Sequence, residues 1–304
     1  MIDLHIHTTA SDGTLSPGQV VTEAAKAGLG AIAITDHDTL DGVEEACRAV
    51  RSNGVPVLPG LEISVEFRGP NLEPGKPGWM HLLVYWPGLL VYPGDGEKSV
   101  DAKIRALNEK ETARTMNELK QWRLGRNQKI IDKLNNLGIK ISLDEVVAKS
   151  GGGQVGRPHF ASVLVNKGYV RNRQEAFDNY LAKGGAAYVD KKRLSLEQAL
   201  DLALSEHAVP VLAHPVSLGL GDDDLRAGLA SWKRAGLKGL EAMYPEHTMD
   251  YTMRLLGMAR ALELVATGGS DFHGQNKPAI MLGSGRNHNL AVPENVLKDL
   301  EDCV

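Results

Sequence analysis

Short apolar runs alternate along the chain with longer stretches of helical periodicity. Seven runs rich in Ile, Val, Leu and Ala have the length of buried β-strands. These runs are residues 2–7, 31–35, 55–63, 80–86, 209–214, 237–243 and 264–269. Between the first two, Ser16 and Pro17 are typical of a helix start, and Gly28 is typical of its end. The alternation predicts an α/β fold in which helices join parallel strands.

Seven strands are one fewer than the usual eightfold α/β barrel contains. We therefore predict a distorted seven-stranded (βα)7 barrel, with an open parallel sheet as the alternative. A length of 304 residues fits one large domain with an insertion better than two equal halves. In either architecture the functional residues belong at the carboxyl ends of the strands.

One long segment interrupts the pattern. Residues 98–193 contain no strong strand run and have the periodicity of helices at 100–122, 128–137, 143–148, 158–166 and 173–181. We predict a helical insertion, or cap, within a barrel made of residues 1–97 and 194–304. Glycines 151–153, 184 and 185 would provide its turns. Residues 98–140 hold eleven Lys/Arg and five Asp/Glu, a net charge of +6, which indicates either solvated helix faces or a substrate-facing basic surface.

Composition adds constraints on compartment and partners. The hydrophobic content is 42% and the formal net charge is -4, so a sizeable core can form and charge alone implies no partner. Cys47 and Cys303 lack the spacing of a zinc site or a disulfide framework, which favours a reduced, cytoplasmic protein. The sequence has no secretory leader pattern or apolar run of membrane-spanning length, and it indicates no obligatory protein partner.

Ionisable side chains gather where the apolar runs end. His5 and His7 alternate in the first run, so both imidazoles point to one face. Later run ends contribute Asp36, His37, Asp38, Glu62, His214, Glu241, Asp271 and His273. Because desolvated charge must be paired or bound to metal, this convergence predicts a metal centre over independently satisfied packing and capping residues.

The ligand types indicate the chemistry of this centre. Imidazole and carboxylate without thiolate suit Mn²⁺, Fe²⁺ or Zn²⁺. Two neighbouring metals can activate a bridging water as hydroxide and stabilise a leaving oxygen, which favours phosphate-ester hydrolysis, with amide hydrolysis as an alternative. His81 stands at the beginning of its run, so its participation requires a bulge or a differently placed strand.

These motifs together resemble the polymerase and histidinol phosphatase (PHP) family of metal-dependent phosphoesterases. The matching elements are Asp3-Leu4-His5-Ile6-His7, Thr35-Asp36-His37-Asp38, Gly60-Leu61-Glu62, His81, His214-Pro215 and Gly269-Ser270-Asp271-Phe272-His273. They cover nearly the whole chain apart from the insertion. The resemblance implies a distorted seven-stranded barrel and supports His81 as a ligand.

The family pattern also implies an arrangement of two or three divalent metals. It assigns His5, His7, Glu62 and Asp271 to one metal, Glu62, His81 and His214 to a second, and Asp12, His37 and His273 to a third. Some family members have histidine at the position of Asp12, so the occupancy of the third site stays open. We predict that catalysis depends on His5, His7, Glu62, His214 and Asp271.

The resemblance is stronger to one branch of the family. Ala10-Ser11-Asp12-Gly13 is similar to the branch that cleaves nucleoside 3',5'-bisphosphates and short RNA 5' ends. Gly156-Arg157-Pro158-His159-Phe160-Ala161 resembles the same branch. Arg157 presents a planar fork for phosphate, unless it is an ordinary helix-start residue. His159 could contact phosphate, donate a proton or only cap its helix, and His247 is a further candidate for the mouth of the site.

The sequence thus predicts hydrolysis of a nucleotide phosphomonoester by a metal-bridging hydroxide. The substrate would be a nucleoside 3',5'-bisphosphate or a short 5'-phosphorylated RNA. One alternative is a phosphatase for histidinol phosphate or another small metabolite. Another, of a different class, is a metal-stabilised binding module without catalysis.

Overall fold

The computed structural model describes residues 1–67, 78–150 and 155–304. The chain forms two units, one of Met1–Met116 with Arg193–Val304 and one of Asn117–Lys192. The smaller unit falls within the predicted insertion, residues 98–193. The predicted turn at glycines 151–153 lies outside the described residues.

A curled, mixed β-sheet forms the centre of the larger unit. Its strands are β1 (Ile32–Ile34), β2 (Val57–Phe67), β3 (Gly78–Tyr85), β4 (Leu194–Ser195), β5 (Val209–Leu212), β6 (Gly239–Met243) and β7 (Val265–Gly268). The strand order is β1-β2-β3-β5-β6-β7, and the short β4 pairs with β2. β3 runs antiparallel to both β2 and β5, whereas the other pairs are parallel. The α/β class is confirmed, but the expectation of uniformly parallel strands is wrong.

The N-terminal segment joins the two edges of this sheet. Asp3 N donates to the carbonyl of Ala31, just before β1, at 3.1 Å. On the other side, Leu4 N donates to the carbonyl of Gly268 in β7 at 3.3 Å. The first apolar run is therefore held by single bridges to both edges and is not the regular strand that its pattern predicts. His5 and His7 are carried on backbone that is fixed from both sides.

Helices surround the sheet and build the smaller unit. The larger unit contains α1 (Pro17–Lys26), α2 (Val43–Asn53), α3 (Glu97–Asn108), α8 (Leu196–Ser205), α9 (Asp222–Arg234), α10 (Met249–Ala261) and α11 (Asn295–Glu301). The smaller unit contains α5 (Leu143–Lys149), α6 (Arg157–Asn166) and α7 (Arg173–Ala176), followed by a π-helical turn at Phe177–Leu181, and α4 (Glu111–Asn136) contributes to both units. In the described part of the chain, every helix is too short or too polar to cross a membrane.

Helix boundaries follow local signals where these are strong. Ser16 caps α1 in a reciprocal pair with Gln19, as the Ser-Pro start predicts. In contrast, α4 continues through Gly125, where the sequence suggested a break between two helices. Glycine in a helix costs only about 1 kcal/mol relative to alanine, and Ile130 and Leu134 of the same helix are buried in the core of the smaller unit. Packing therefore overrides the local preference.

The sheet buries a core that includes the segment carrying the first two histidines. Ile2 and Leu4 are fully buried together with Leu58, Leu83 and Val211. The hydroxyl of Tyr85 donates to the Leu4 carbonyl at 2.7 Å within this core. The hydrogen bond links the end of β3 to the backbone immediately before His5.

Replacing Tyr85 by phenylalanine tests this link. Loss of the hydroxyl removes the donor from a buried carbonyl, so we expect Tyr85→Phe to destabilise the protein by about 1–3 kcal/mol. Urea unfolding followed by circular dichroism measures the change. Tyr92→Phe is the matched control, because Tyr92 is 45% exposed, and we expect it to be nearly neutral. Equal stability of the two variants would contradict the role assigned to Tyr85.

Candidate metal centre

Six imidazoles and three carboxylates converge at one end of the sheet in the larger unit. They form four groups in which one ligand atom from each residue lies within 4.8 Å of the others. The groups are His5, Glu62 and His214; His5, His7 and Asp271; His37, Glu62 and His81; and His7, Asp12, His37 and His273. All nine residues predicted as metal ligands are therefore neighbours in the structure.

Glu62 lies at the centre of the cluster and presents its two oxygens to different imidazoles. Oε1 lies 2.9 Å from Nδ1 of His81 and 2.9 Å from Nε2 of His214. Oε2 lies 2.9 Å from Nδ1 of His37 and 3.2 Å from Nε2 of His7. The Glu62 side chain is 1% exposed. Glu62 therefore offers one oxygen to each of two sets of imidazoles.

The two N-terminal histidines share the carboxylate of Asp271. Oδ1 of Asp271 lies 3.2 Å from Nε2 of His7 and 3.7 Å from Nε2 of His5. The His5 and His7 rings turn their Nε2 atoms toward each other, 3.1 Å apart. Their alternation along the first run thus places both rings on one face, as predicted, although the run is not a regular strand.

His81 reaches the cluster from the middle of β3, because this antiparallel strand begins earlier than its apolar run. It pairs with Ser64 of β2, and its carbonyl accepts from the N–H of Ala213, just after β5. Ser64 and Glu62 are two residues apart on one face of β2, so β3 presents His81 on the same face as Glu62. The continuous antiparallel register of β3 with β2 accounts for the position of His81, and it contains no bulge.

Asp12 and His273 define the more open side of the cluster. Oδ1 of Asp12 lies 3.3 Å from Nε2 of His273, and Oδ2 lies 3.9 Å from Nε2 of His37. The Asp12 side chain is 44% exposed, whereas that of His273 is 5% exposed. His37 also approaches Glu62, so it lies between this group and the one containing His81.

The loops that present these residues adopt unusual backbone conformations. Asp38, His214 and Asp271 follow β1, β5 and β7 with φ angles of 49°, 23° and 56°. Positive φ is unfavourable for residues other than glycine and persists where the surroundings enforce it. The chain is therefore strained at three of the strand ends that form the cluster.

Charge compensation within the cluster shifts its proton affinities. Burial alone would lower the pKa of His7, but Asp271 and Glu62 outweigh it and raise that pKa to about 10. Burial acts in the same direction on His5, yet the surrounding carboxylates raise its pKa well above the ordinary value. Burial also disfavours ionised Glu62, but the imidazoles around it hold its pKa well below the usual range. The buried carboxylates therefore stabilise the protonated, positively charged forms of His5 and His7.

The donor set fits divalent transition metals. Neutral imidazole nitrogens and carboxylate oxygens are typical ligands of Mn²⁺, Fe²⁺ and Zn²⁺. Each of the four groups offers at least three such atoms, and Glu62 and three of the histidines each belong to two groups. Metal cations would supply the positive charge that protons on the imidazoles otherwise provide.

Glu241 orients this cluster, a role that the sequence did not reveal. Oε1 of this fully buried carboxylate lies 2.9 Å from Nδ1 of His5, and Oε2 accepts from His214 N at 2.6 Å. A carboxylate on one ring nitrogen fixes the tautomer and turns the other nitrogen toward a metal. The signal available in the sequence was a glutamate near the end of the sixth run.

The aspartates beside the ligands mainly organise the backbone. Asp3 accepts from the N–H groups of Ser270 and Gly283 at 2.8 and 2.7 Å. Asp36 accepts from the N–H and hydroxyl of Thr8, each at 2.7 Å. Asp3 and Asp36 thus support the turns that carry the ligands.

The three predicted substrate residues lie in different surroundings. Arg157, in the smaller unit, donates from Nη1 to the Leu181 carbonyl at 3.1 Å and stacks over Tyr188. Nδ1 of His159 accepts from Gly156 N at 3.0 Å, as a helix cap. His247, in the larger unit, is 6% exposed, and its Nδ1 donates to the Ala242 carbonyl at 2.9 Å. Their contact with substrate stays a prediction.

The fold and the cluster together define the class of metal-dependent phosphoesterases, hydrolases that act on phosphate esters. The PHP domain family matches residues 3–144. A 5'-3' exoribonuclease from Haemophilus influenzae is 30% identical over 89% of this chain and 89% of its own length. The chain belongs to the PHP family, as its motifs indicated.

Two further comparisons extend over nearly the whole molecule. A 3',5'-nucleoside bisphosphate phosphatase from Chromobacterium violaceum is 30% identical over 90% of this chain and 87% of its own length. The crystal structure of a Bifidobacterium adolescentis protein assigned as a metal-dependent phosphoesterase superimposes with a TM-score of 0.71 at 28% identity. That comparison covers 99% of this chain and 96% of the other.

Substitution of Glu241 tests its role in orienting the cluster. We expect Glu241→Gln to weaken metal binding about 10- to 100-fold, because the neutral amide holds His5 less firmly in its metal-binding orientation. Titration of metal-free protein with Mn²⁺ measures the affinity. Glu246→Gln is the control, since the Glu246 side chain is 54% exposed and pairs only loosely with Arg286, at 3.6 Å. Unchanged affinity in Glu241→Gln would refute this role.

Proposed function

We propose that this protein hydrolyses phosphomonoesters of nucleotides, either nucleoside 3',5'-bisphosphates or short 5'-phosphorylated RNA. The position of Glu62 carries the proposal, since its two oxygens face separate groups of imidazoles. The exoribonuclease and bisphosphate phosphatase named above, each about 30% identical over most of the chain, support the nucleotide class of substrate.

The ligand groups would hold two or three divalent ions, of Mn²⁺, Fe²⁺ or Zn²⁺. The first site would use His5, His7, Glu62 and Asp271, the second Glu62, His81 and His214, and the third Asp12, His37 and His273. Such ions supply the Lewis acidity that activates water and stabilises a leaving oxygen in phosphate-ester hydrolysis.

The protein's own residues hold this centre in a fixed geometry. Glu62 is buried and cannot turn away from the imidazoles around it, while Glu241 fixes the ring of His5. The side chains of His37 and His81 are each 25% exposed, so they mark the side from which a phosphate would approach. Preorganised charge of this kind favours the transition state because little reorganisation is needed during the reaction.

Arg157, within the smaller unit, is our proposed phosphate ligand. Its guanidinium has five N–H donors, and the Leu181 carbonyl accepts from Nη1. Stacking over Tyr188, 5.5 Å from the ring centroid, orients the guanidinium plane. His159 and His247 are the further proposed substrate residues. The excess of basic residues in 98–140 would add sequence-independent attraction for a polyanion.

A substrate panel tests the proposed activity. We expect manganese-loaded protein to release phosphate from adenosine 3',5'-bisphosphate or from a short 5'-phosphorylated RNA in preference to histidinol phosphate. Glu62→Ala and His5→Ala should each reduce turnover at least about 100-fold and lower the metal content, because both remove ligands from the centre. Glu66→Ala is the control, since Glu66 lies on the same strand but is exposed.

The same panel separates the alternatives. Turnover of histidinol phosphate alone would identify a small-metabolite phosphatase and overturn the nucleotide assignment. Two or three metals per chain without hydrolysis of any of these compounds would favour a metal-stabilised binding module. Elemental analysis of the purified protein, made alongside the assay, gives the metal content for this comparison.

Arg157→Ala should weaken substrate binding without removing metal. We expect KM to rise about 10- to 100-fold, which corresponds to the loss of one charge-assisted hydrogen bond, with unchanged metal content. Arg157→Lys should recover only part of the affinity, because an ammonium lacks the planar fork. Loss of metal in Arg157→Ala would mean that this residue has a structural role.

A further inference from the structure

The carboxylate of Asp271 is divided between two environments. Oδ1 faces the cluster, 3.2 Å from Nε2 of His7. Oδ2 accepts from the hydroxyl of Tyr244 at 2.9 Å and from Nζ of Lys277. Neither Tyr244 nor Lys277 was a candidate from sequence. The phenol of Tyr244 and the ammonium of Lys277 thus both bind Oδ2 of this predicted metal ligand.

Tyr244 is the fixed member of this pair. It follows directly after β6 and is only 9% exposed. Its ring packs against the imidazoles of His214 and His247, with centroids 5.5 and 5.1 Å away. A side chain confined on both sides can hold Oδ2 of Asp271 in place by itself.

Lys277 is the more exposed of the two residues that bind Asp271. Its side chain is 38% exposed, against 7% for Asp271. It directly follows a short 3-10 turn, Gly274–Asn276, that is tied to the loop around Asp12. In that tie, Asn276 Nδ2 donates to the Asp12 carbonyl at 2.7 Å and Gln275 N donates to Thr14 Oγ1 at 2.9 Å. The backbone of Lys277 is anchored beside the cluster, while its partly exposed side chain extends to Asp271.

We propose that Lys277 binds a phosphate oxygen of the substrate while Tyr244 alone keeps Asp271 in position. This inference rests on the proposed function. An ammonium on a flexible stem is a suitable point charge for phosphate. Asp271 attracts it less strongly once cations in the cluster share the carboxylate's charge, and an incoming phosphate offers a more highly charged partner. Lys277 would thus add a phosphate ligand from the metal-binding unit itself.

Binding of inorganic phosphate to manganese-loaded protein tests the lysine directly. We expect Lys277→Met to raise the dissociation constant measured by calorimetry about 10- to 100-fold, with unchanged metal content, because one charge-assisted contact is lost. Lys277→Arg should restore most of the affinity. Lys298→Met removes the same charge from an exposed position on α11 and should change nothing. An unchanged dissociation constant in Lys277→Met, or loss of metal from it, would overturn the proposal.

Tyr244→Phe tests the second part of the proposal, that Tyr244 keeps Asp271 in position. We expect its affinity for Mn²⁺ to fall about tenfold, because Asp271 loses its fixed hydrogen-bond donor. Unchanged metal affinity would remove Tyr244 from the proposal. Turnover by wild-type protein separates this inference from the proposed function. If phosphate binding depends on Lys277 but no ester is hydrolysed, the proposed function is refuted and the lysine site is retained. If the esters are hydrolysed with a KM that Lys277→Met does not change, the lysine site is refuted and the proposed function is retained.

Discussion

The buried carboxylate of Glu62 is the constraint on which the rest of the site depends. A desolvated negative charge must be compensated, and Glu62 obtains compensation from imidazoles that approach both of its oxygens. Those imidazoles come from the N-terminal segment, the loops after β1 and β5, and the middle of β3. The arrangement of the sheet therefore brings these imidazoles together around Glu62, where they carry positive charge or can bind metal cations.

The direction of β3 is the feature of the fold that completes this arrangement. The antiparallel register with β2 pairs His81 with Ser64, which lies two residues from Glu62 and on the same face of the strand. The reversal also brings Tyr85 to the opposite end of β3, where its hydroxyl binds the Leu4 carbonyl in the core. β3 thus supplies a candidate ligand, His81, from its middle and supports the segment carrying His5 through its last residue, Tyr85.

A layer of hydrogen bonds behind the ligands maintains their positions. Glu241 connects the ring of His5 with the backbone of His214, and Asp3 ties the N-terminal segment to the loop that contains Asp271. These contacts sustain the positive φ angles at His214 and Asp271, which isolated loops would avoid. The site is rigid because the residues that support the ligands are themselves buried and hydrogen-bonded.

The sequence by itself determined which short segments enter the sheet and which residues stand at their ends. Six of the seven apolar runs correspond to strands, and His5, His7, Glu62, His214 and Asp271 are neighbours as their positions in these runs implied. Periodicity is a local property, so it could be read without a fold. Tertiary structure decided the direction of β3, the continuous course of α4 and the pairing of Glu241 with His5, 236 positions apart. It also placed Tyr244 and Lys277 on Asp271. Such contacts depend on packing between distant segments, which no local pattern of residues encodes.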